Sequence, residues 1–192
     1  MATLRLNATG YNWGSSSYNS STNIKVGKTG SSSSDGTKYR GRVRFNNGIG
    51  GSWVISKITL TMQRIDSYSS HVLEIGVSSS NAWGASLQWK KNFTFSSGTG
   101  NKTIDITAAK DIIQGYTGTY FYIHILHGSG TNSYSEFKGS STTPYITITY
   151  EEATVYYYGS GNWQQCLVYY YTGGQWVQCI PYYYTGGSWI QV

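Results

Sequence analysis

The stretch VYYYGSGNWQQCLVYYYTGGQWVQCIPYYYTGGSWIQV (residues 155–192) repeats itself almost three times and carries no charged residue. Tyr triplets begin at Tyr156, Tyr169 and Tyr182, and Trp163, Trp176 and Trp189 follow at the same thirteen-residue interval. Each repeat reads as a β-hairpin, with a strand of the VYYY kind, a glycine turn and a strand of the QWVQC kind. Glycine supplies the positive φ that a tight two-residue turn needs. Side chains alternate between faces along a strand, so the outer two tyrosines of a triplet point one way and the middle one the other. Both faces of the ribbon are then aromatic. A lone two-stranded hairpin is marginal in water, whereas burying one aromatic ring of roughly 200 Å² contributes about 5 kcal/mol gross. The pattern predicts a ribbon built for association. Its interface candidates are Tyr156, Tyr158, Trp163, Cys166, Tyr169, Tyr171, Trp176, Cys179, Tyr182, Tyr184 and Trp189. Cys166 and Cys179 hold equivalent places in consecutive repeats, and Val192 holds that place in the third. A position that takes Cys or Val reads as a small apolar packing site rather than a metal or redox site.

Working back from the ribbon, the period of thirteen stops near EEAT, residues 151–154, which sets two units, 1–152 and 153–192. The 192-residue chain is rich in Tyr (19) and Gly (24), only 11% of it is charged, and its net charge is +6. All 14 cations and all 8 carboxylates precede the ribbon, so attraction to an anionic partner belongs to the first unit. β-branched and aromatic residues dominate over helix formers, which is an all-β composition. No Lys/Arg run is dense enough for a nucleic-acid arm, and no segment has the length and apolarity of a membrane-spanning helix. The opening MATLRLNATGYNWG lacks the apolar segment of a secretory signal. A surface of hydroxyls and amides without that signal leads to the expectation of a virion protein assembled in the host cytoplasm, with an extracellular or cell-surface protein as the alternative.

Within the first unit, alternating segments predict strands near 3–7, 23–27, 38–45, 53–64, 71–78, 87–95, 101–106, 119–127 and 144–150, divided by Gly, Ser and Asn turns. TAAKDIIQG is the one candidate helix, with Thr107 as its cap, Asp111 in its first turn and Gly115 as its stop. Many short strands with a single small helix point to a two-sheet β-sandwich.

Several segments fall in a suggestive order: TNIKVG, KYRGRVRFN, SKITLTM, IDITAAKDIIQG and SEFKGSSTTPYITITYE. Over roughly residues 3–150 this series resembles the DNRLRE-type domain, also classed with carbohydrate-binding module family 96. The resemblance implies a jelly-roll β-sandwich that acts as a glycan-binding or adhesive module of larger surface proteins. The chain departs from the family pattern in FKGSSTTPYITITY, where Lys138 follows the Phe and the second acid is missing. The short hairpin repeats, for their part, resemble the ends of virion structural proteins of phages that infect Gram-positive bacteria. More loosely, they resemble the longer aromatic hairpins of choline- and glucan-binding repeats, which implies a ligand-binding alternative.

In KYRGRVRF, the residues Lys38, Arg40, Arg42 and Arg44 share one parity, which predicts four cations on one strand face at intervals of about 7 Å. Such a row suits a polyanion such as teichoic acid or an acidic polysaccharide, or else a solvated face that guards an edge. Trp13 and Trp83 lie in Gly/Ser/Asn-rich surroundings and are candidate sugar-stacking rings, whereas Trp53 shares its parity with Ile55. His124 and His127 have opposite parity and cannot share a metal unless the strand bulges, and His71 stands alone before VLEIGV. Neither a metal nor an organic cofactor is expected, although Ca²⁺ held by backbone carbonyls would leave no sequence trace. None of the catalytic motifs GxSxG, HExxH or a phosphate-cradling loop occurs. The expectation is a non-catalytic phage virion structural protein of the tail, baseplate or capsid surface. It would associate with itself, most simply as a trimer, or with other virion proteins, and its first unit would touch host-cell glycan. A bacterial wall- or polysaccharide-binding module is the alternative, and a glycan-cleaving enzyme using a pair of carboxylates is the third reading.

Overall fold

The computed structural model describes residues 1–13, 23–28, 38–51, 53–66, 70–82, 85–129, 133–139, 144–152, 155–159, 162–166, 169–178, 182–185 and 188–191. The protein is all-β, with antiparallel strands and one short helix.

Strand β1 (Ala2–Trp13) is the hinge of the first unit, because it belongs to two layers. Its first half pairs with β11 (Tyr145–Glu152), from Ala2 opposite Tyr150 to Asn7 opposite Tyr145. A register shift at Ala8–Gly10 then turns it onto β4 (Gly41–Asn46). Irregularities of this kind bend a strand and re-aim its side chains. One layer continues from β11 through β5 (Trp53–Arg64) to β10 (Ser133–Phe137), β2 (Ile24–Lys28) and β3 (Lys38–Tyr39), with β8 (Gly100–Asp105) also on β5. The other layer runs β1–β4–β9–β6–β7, where β9 is Tyr120–Ser129, β6 His71–Ser78 and β7 Trp89–Phe95.

Alternation explains the core. From β4, β9 and β6, the residues Val43, Phe45, Phe121, Ile123, Ile125, Leu73, Ile75 and Val77 are fully buried. Ile58, Leu60, Met62, Ile146 and Ile148 of the other layer join them in one cluster. Each such side chain contributes roughly 1.5–3 kcal/mol by leaving water. Trp53 packs against this core with its ring stacked on Tyr150 (centroids 3.7 Å apart); parity alone sets Trp53 and Ile55 apart from Ile58 and Leu60, and the register shift at Thr149–Tyr150 lies between the two sets.

The helix α1 (Lys110–Gln114) follows a 3-10 turn at Thr107–Ala109. Thr107 does not cap it. Its hydroxyl instead accepts from the Ile58 amide (2.9 Å), while its own N–H is received by Asp105 Oδ1 (2.8 Å). Hydrogen bonds from Thr107 hold the Asp105 carboxyl below its ordinary pKa. Gly115 ends the helix at φ −73°, a right-handed conformation open to any residue, so it is not a left-handed stop.

In the second unit the thirteen-residue period becomes three two-stranded antiparallel sheets. They pair β12 (Val155–Gly159) with β13 (Asn162–Cys166), β14 (Tyr169–Thr172) with β15 (Gln175–Gln178), and β16 (Tyr182–Thr185) with β17 (Ser188–Gln191). The middle turn, Gly173–Gly174, has φ +57° and +81°. Two positive φ values are the signature of a type I′ turn, whose twist matches that of the strands.

Candidate functional site

The predicted cationic row does not exist as one strand face. Lys38 and Tyr39 pair with Lys28 and Gly27 in one layer, whereas Gly41 onward pairs with β1 and β9 in the other. Arg40 is the residue at which the chain crosses between them, and the crossing divides the row. Gly41 makes the crossing fit, since a Cβ there would collide with Ile24 and Val26. Arg42 is buried (7% exposed), on β4 opposite His124 of β9. Arg44 is spent locally, donating through Nη2 to the Thr9 carbonyl (3.0 Å) and lying 4.6 Å over the Tyr120 ring. Moreover, β4 is flanked by β1 and β9, so it guards no sheet edge.

A loop covers the outer face on which Arg42 and His124 lie. Leu87 packs on Gly76, where a Cβ would displace it, and Ser78 Oγ donates to the Ser86 carbonyl (3.3 Å). Ser80 O lies 3.0 Å from His124 Nε2, and burial lowers the pKa of that imidazole. Trp83, in the same loop, lies outside the described residues, as do the side chains of Trp13 and Lys38. The backbone of Trp13 stands opposite Gly41, beside the crossing.

Arg40 itself is exposed and, among the described residues, has no hydrogen-bond or ionic partner. It lines an open cavity of about 210 Å³ together with Tyr39, Glu74, Leu126 and His127. The Tyr39 ring carries Lys25 Nζ 4.8 Å from its centroid. Glu74 is three-quarters buried and paired with Lys90 at 3.3 Å. His127 is anchored from behind: its Nδ1 lies 3.0 Å from His71 Nε2, and His71 Nδ1 lies 3.3 Å from Ser135 Oγ of the opposite layer. His71 does not stand alone, then, although His124 and His127 do fall on opposite faces. Burial, followed by the neighbouring His127 and Arg64, lowers the pKa of His71 to about 4. Among the described residues no group of three metal-ligating side chains occurs.

Other carboxylates serve the fold. Asp66 grips buried Arg64 through paired contacts of 2.7–3.1 Å and receives the Glu136 amide at 2.6 Å. Glu136 accepts from Asn23 Nδ2 at 3.0 Å.

In the ribbon the register puts the interface candidates on matching faces. Tyr158 stands opposite Trp163, Tyr171 opposite Trp176 and Tyr184 opposite Trp189, while Tyr156, Tyr169 and Tyr182 share those faces two residues away. Tyr169 and Tyr171 are 47% and 62% exposed. Cys166 is the register partner of Val155. Cys179 lies outside the described residues.

The sequence reading found Arg40 but missed Tyr39, Glu74, Leu126 and His127. They come from β3, β6 and β9, and only the fold brings them together. The one local signal was Gly41, a residue that weakens a strand interior and marks a close approach.

A comparison of the chain with protein-family models finds no match, and one with curated proteins finds none either.

Proposed function

We propose that this chain is a non-catalytic structural protein of a phage virion, with a jelly-roll head (residues 1–152) that contacts host-surface glycan and a ribbon (153–192) that assembles it. The ribbon joins copies of the chain, most simply three, or joins the chain to other virion proteins. One observation carries this reading: three successive hairpins repeat one register, in which Tyr158, Tyr171 and Tyr184 stand opposite Trp163, Trp176 and Trp189, and Tyr169 and Tyr171 are 47% and 62% exposed in the single chain. Association removes such rings from water, and no charge in the ribbon opposes it.

Sedimentation of the full chain and of residues 1–152 tests the proposal. The full chain is expected as a defined oligomer and the shortened one as a folded monomer. A monomeric full chain whose tryptophans are freely quenched in solution overturns the assembly role. If that monomer also binds purified cell walls, and loses binding with the ribbon, the wall-binding module replaces the virion protein.

A further inference from the structure

We infer that copies of this chain meet through two repeated rungs of their hairpins, Tyr–Gln and Tyr–Trp, laid against the same rungs of another copy, and that Gln165, Gln178 and Gln191 set the register of that contact. This rests on the assembly reading of the ribbon and commits it to one partner, a second ribbon.

Because the chain contains the hairpin three times, it can be compared with itself. The rungs Tyr156–Gln165 and Tyr158–Trp163 recur as Tyr169–Gln178 and Tyr171–Trp176, and again as Tyr182–Gln191 and Tyr184–Trp189, with all four residues unchanged. The other rungs keep only the middle tyrosine. Tyr157 stands opposite Gln164, Tyr170 opposite Val177 and Tyr183 opposite Ile190. Gly159–Asn162 likewise becomes Thr172–Gln175 and then Thr185–Ser188. Alternate rungs of an antiparallel ladder share a face, so one face of the hairpin is held constant while the other drifts. Strand formation does not demand the constant glutamine, since β-branched residues such as Val177 and Ile190 suit a strand better. A constant face implies a constant neighbour.

The chemistry of that face selects another copy. Its polar member is an amide, which donates and accepts at once. Glutamines from different copies can therefore satisfy one another, in a pair or around a ring of three, whereas like charges opposite each other repel. The ribbon holds no charged side chain, so it calls for no counter-charge on a foreign partner. The heads carry the whole net charge of +6, repel one another, and leave the meeting to the ribbon.

The area is sufficient. Tyr169 and Tyr171 are 47% and 62% exposed two positions apart on β14, whereas Val54, Ile65 and Tyr120, exposed apolar side chains of the head, lie far apart in sequence. An aromatic side chain buries roughly 150–250 Å² in full. If each ring of the constant rungs gives up about half of that, the rings alone contribute about 900 Å² per copy, against the roughly 800 Å² per partner of a stable interface. The glutamines then add specificity. Aromatic faces can slide past one another at little cost, but an amide buried away from its partner amide costs about 1–3 kcal/mol.

The test is sedimentation equilibrium of the full chain with charges placed on one rung. Gln178→Glu and Gln178→Lys, each alone, should raise the concentration of half-dissociation tenfold or more, because equivalent positions then bring like charges together. Mixed in equal amounts, the two should assemble at least tenfold more readily than either alone, which also shows that each variant hairpin still folds. The same two substitutions at Gln175, on a drifting rung of the same hairpin, should change half-dissociation less than threefold. The triple variant Gln165→Leu, Gln178→Leu, Gln191→Leu should still associate, but as several species instead of one. A mixture no better than its parts, or Gln175 variants as disruptive as those at Gln178, overturns the assignment and leaves the assembly role standing on another surface. A single species in the triple variant removes the register role of the glutamines. A full chain that stays monomeric overturns both proposals, and if its tryptophan emission then responds to a glucan oligosaccharide, the constant rungs are a sugar site instead.

Discussion

The two units solve the same problem in opposite ways. Between residues 1 and 152, alternation sends apolar side chains into a core shared by two layers, and every charge of the chain is left to the remaining positions. Between 155 and 191 the strands alternate too, but tyrosine and tryptophan fall on one face while Tyr157, Tyr170 and Tyr183 fall on the other. A two-stranded hairpin has no second layer of its own. The first unit buries its apolar side chains internally, and the second, on the proposed reading, is covered by a partner surface. The difference teaches that β-propensity and pairing set the hairpins locally, whereas burial has to come from elsewhere. Damage in the head should therefore show as lost folding, and damage in the ribbon as lost assembly.

The sharpest test of that division is the buried pair Arg64–Asp66. Arg64 is fully buried, and besides Asp66 it donates to the Ser96 carbonyl at 2.7 Å. Asp66→Ala leaves the guanidinium in the core without its counter-charge and leaves the Glu136 amide without its acceptor. Breaking such a pair costs about 3–5 kcal/mol, a large share of the 5–15 kcal/mol that typically holds a domain together. Urea denaturation followed by far-ultraviolet circular dichroism should show a much lower midpoint. If the head kept its midpoint, the network would be decorative and the account of the core would fail. The ribbon, with no charge to lose, offers no equivalent position.

Acid should separate the units next. His71 is 2% exposed, and its pKa of about 4 in the folded state lies below its ordinary 6.5. The unfolded chain therefore binds this proton more readily than the folded one. Stability from the group is complete above about pH 6.5 and falls as pH drops towards 4, with no further loss below that. The slope approaches about 1.4 kcal/mol per pH unit, roughly 3 kcal/mol in all. His124, shifted the same way by burial, adds in the same direction. His71→Gln should flatten the dependence of the urea midpoint between pH 6.5 and 4. Beyond Glu152 there is no Asp, Glu, His, Lys or Arg side chain, so the ribbon's association should hold across that range. A ribbon that dissociates in step with the head would break the comparison.

How much of this was legible beforehand follows from where the information lies. The strands at 53–64 and 71–78 match their predicted limits, because alternation is written in consecutive residues. SYSEF was missed as a strand. It is short and polar, and it earns its place as β10 by pairing with β2, more than a hundred residues earlier. KYRGRVRF was read as one strand because parity survives a crossing unchanged, although the two halves then answer to different sheets. The His71–His127 contact spans 56 residues and depends on a register shift at Val72–Leu73, which no local pattern encodes. The cavity was invisible for the same reason. In the ribbon, by contrast, turn, strand and partner lie within thirteen residues, and the pairing of Tyr171 with Trp176 was implicit in the repeat.

The smallest expected effect isolates the turn that makes this locality work. At Gly173 and Gly174 a Cβ would meet nothing within 4 Å, so crowding plays no part in what a substitution does there. Backbone conformation alone decides. Gly173 has φ +57°, a left-handed value that Asn tolerates, and Gly173→Asn should be close to neutral. Gly174 at φ +81° is worse for a branched side chain, and Gly174→Val should cost about 1–2 kcal/mol. The head's thermal transition should not move in either variant. The concentration at which the oligomer half-dissociates should rise about five- to thirtyfold in Gly174→Val and stay put in Gly173→Asn, because the valine variant holds its Tyr–Trp face in place less often. Equal behaviour of the two would mean that the turn does not set the register, and that the partner surface, rather than the glycine pair, shapes the hairpin.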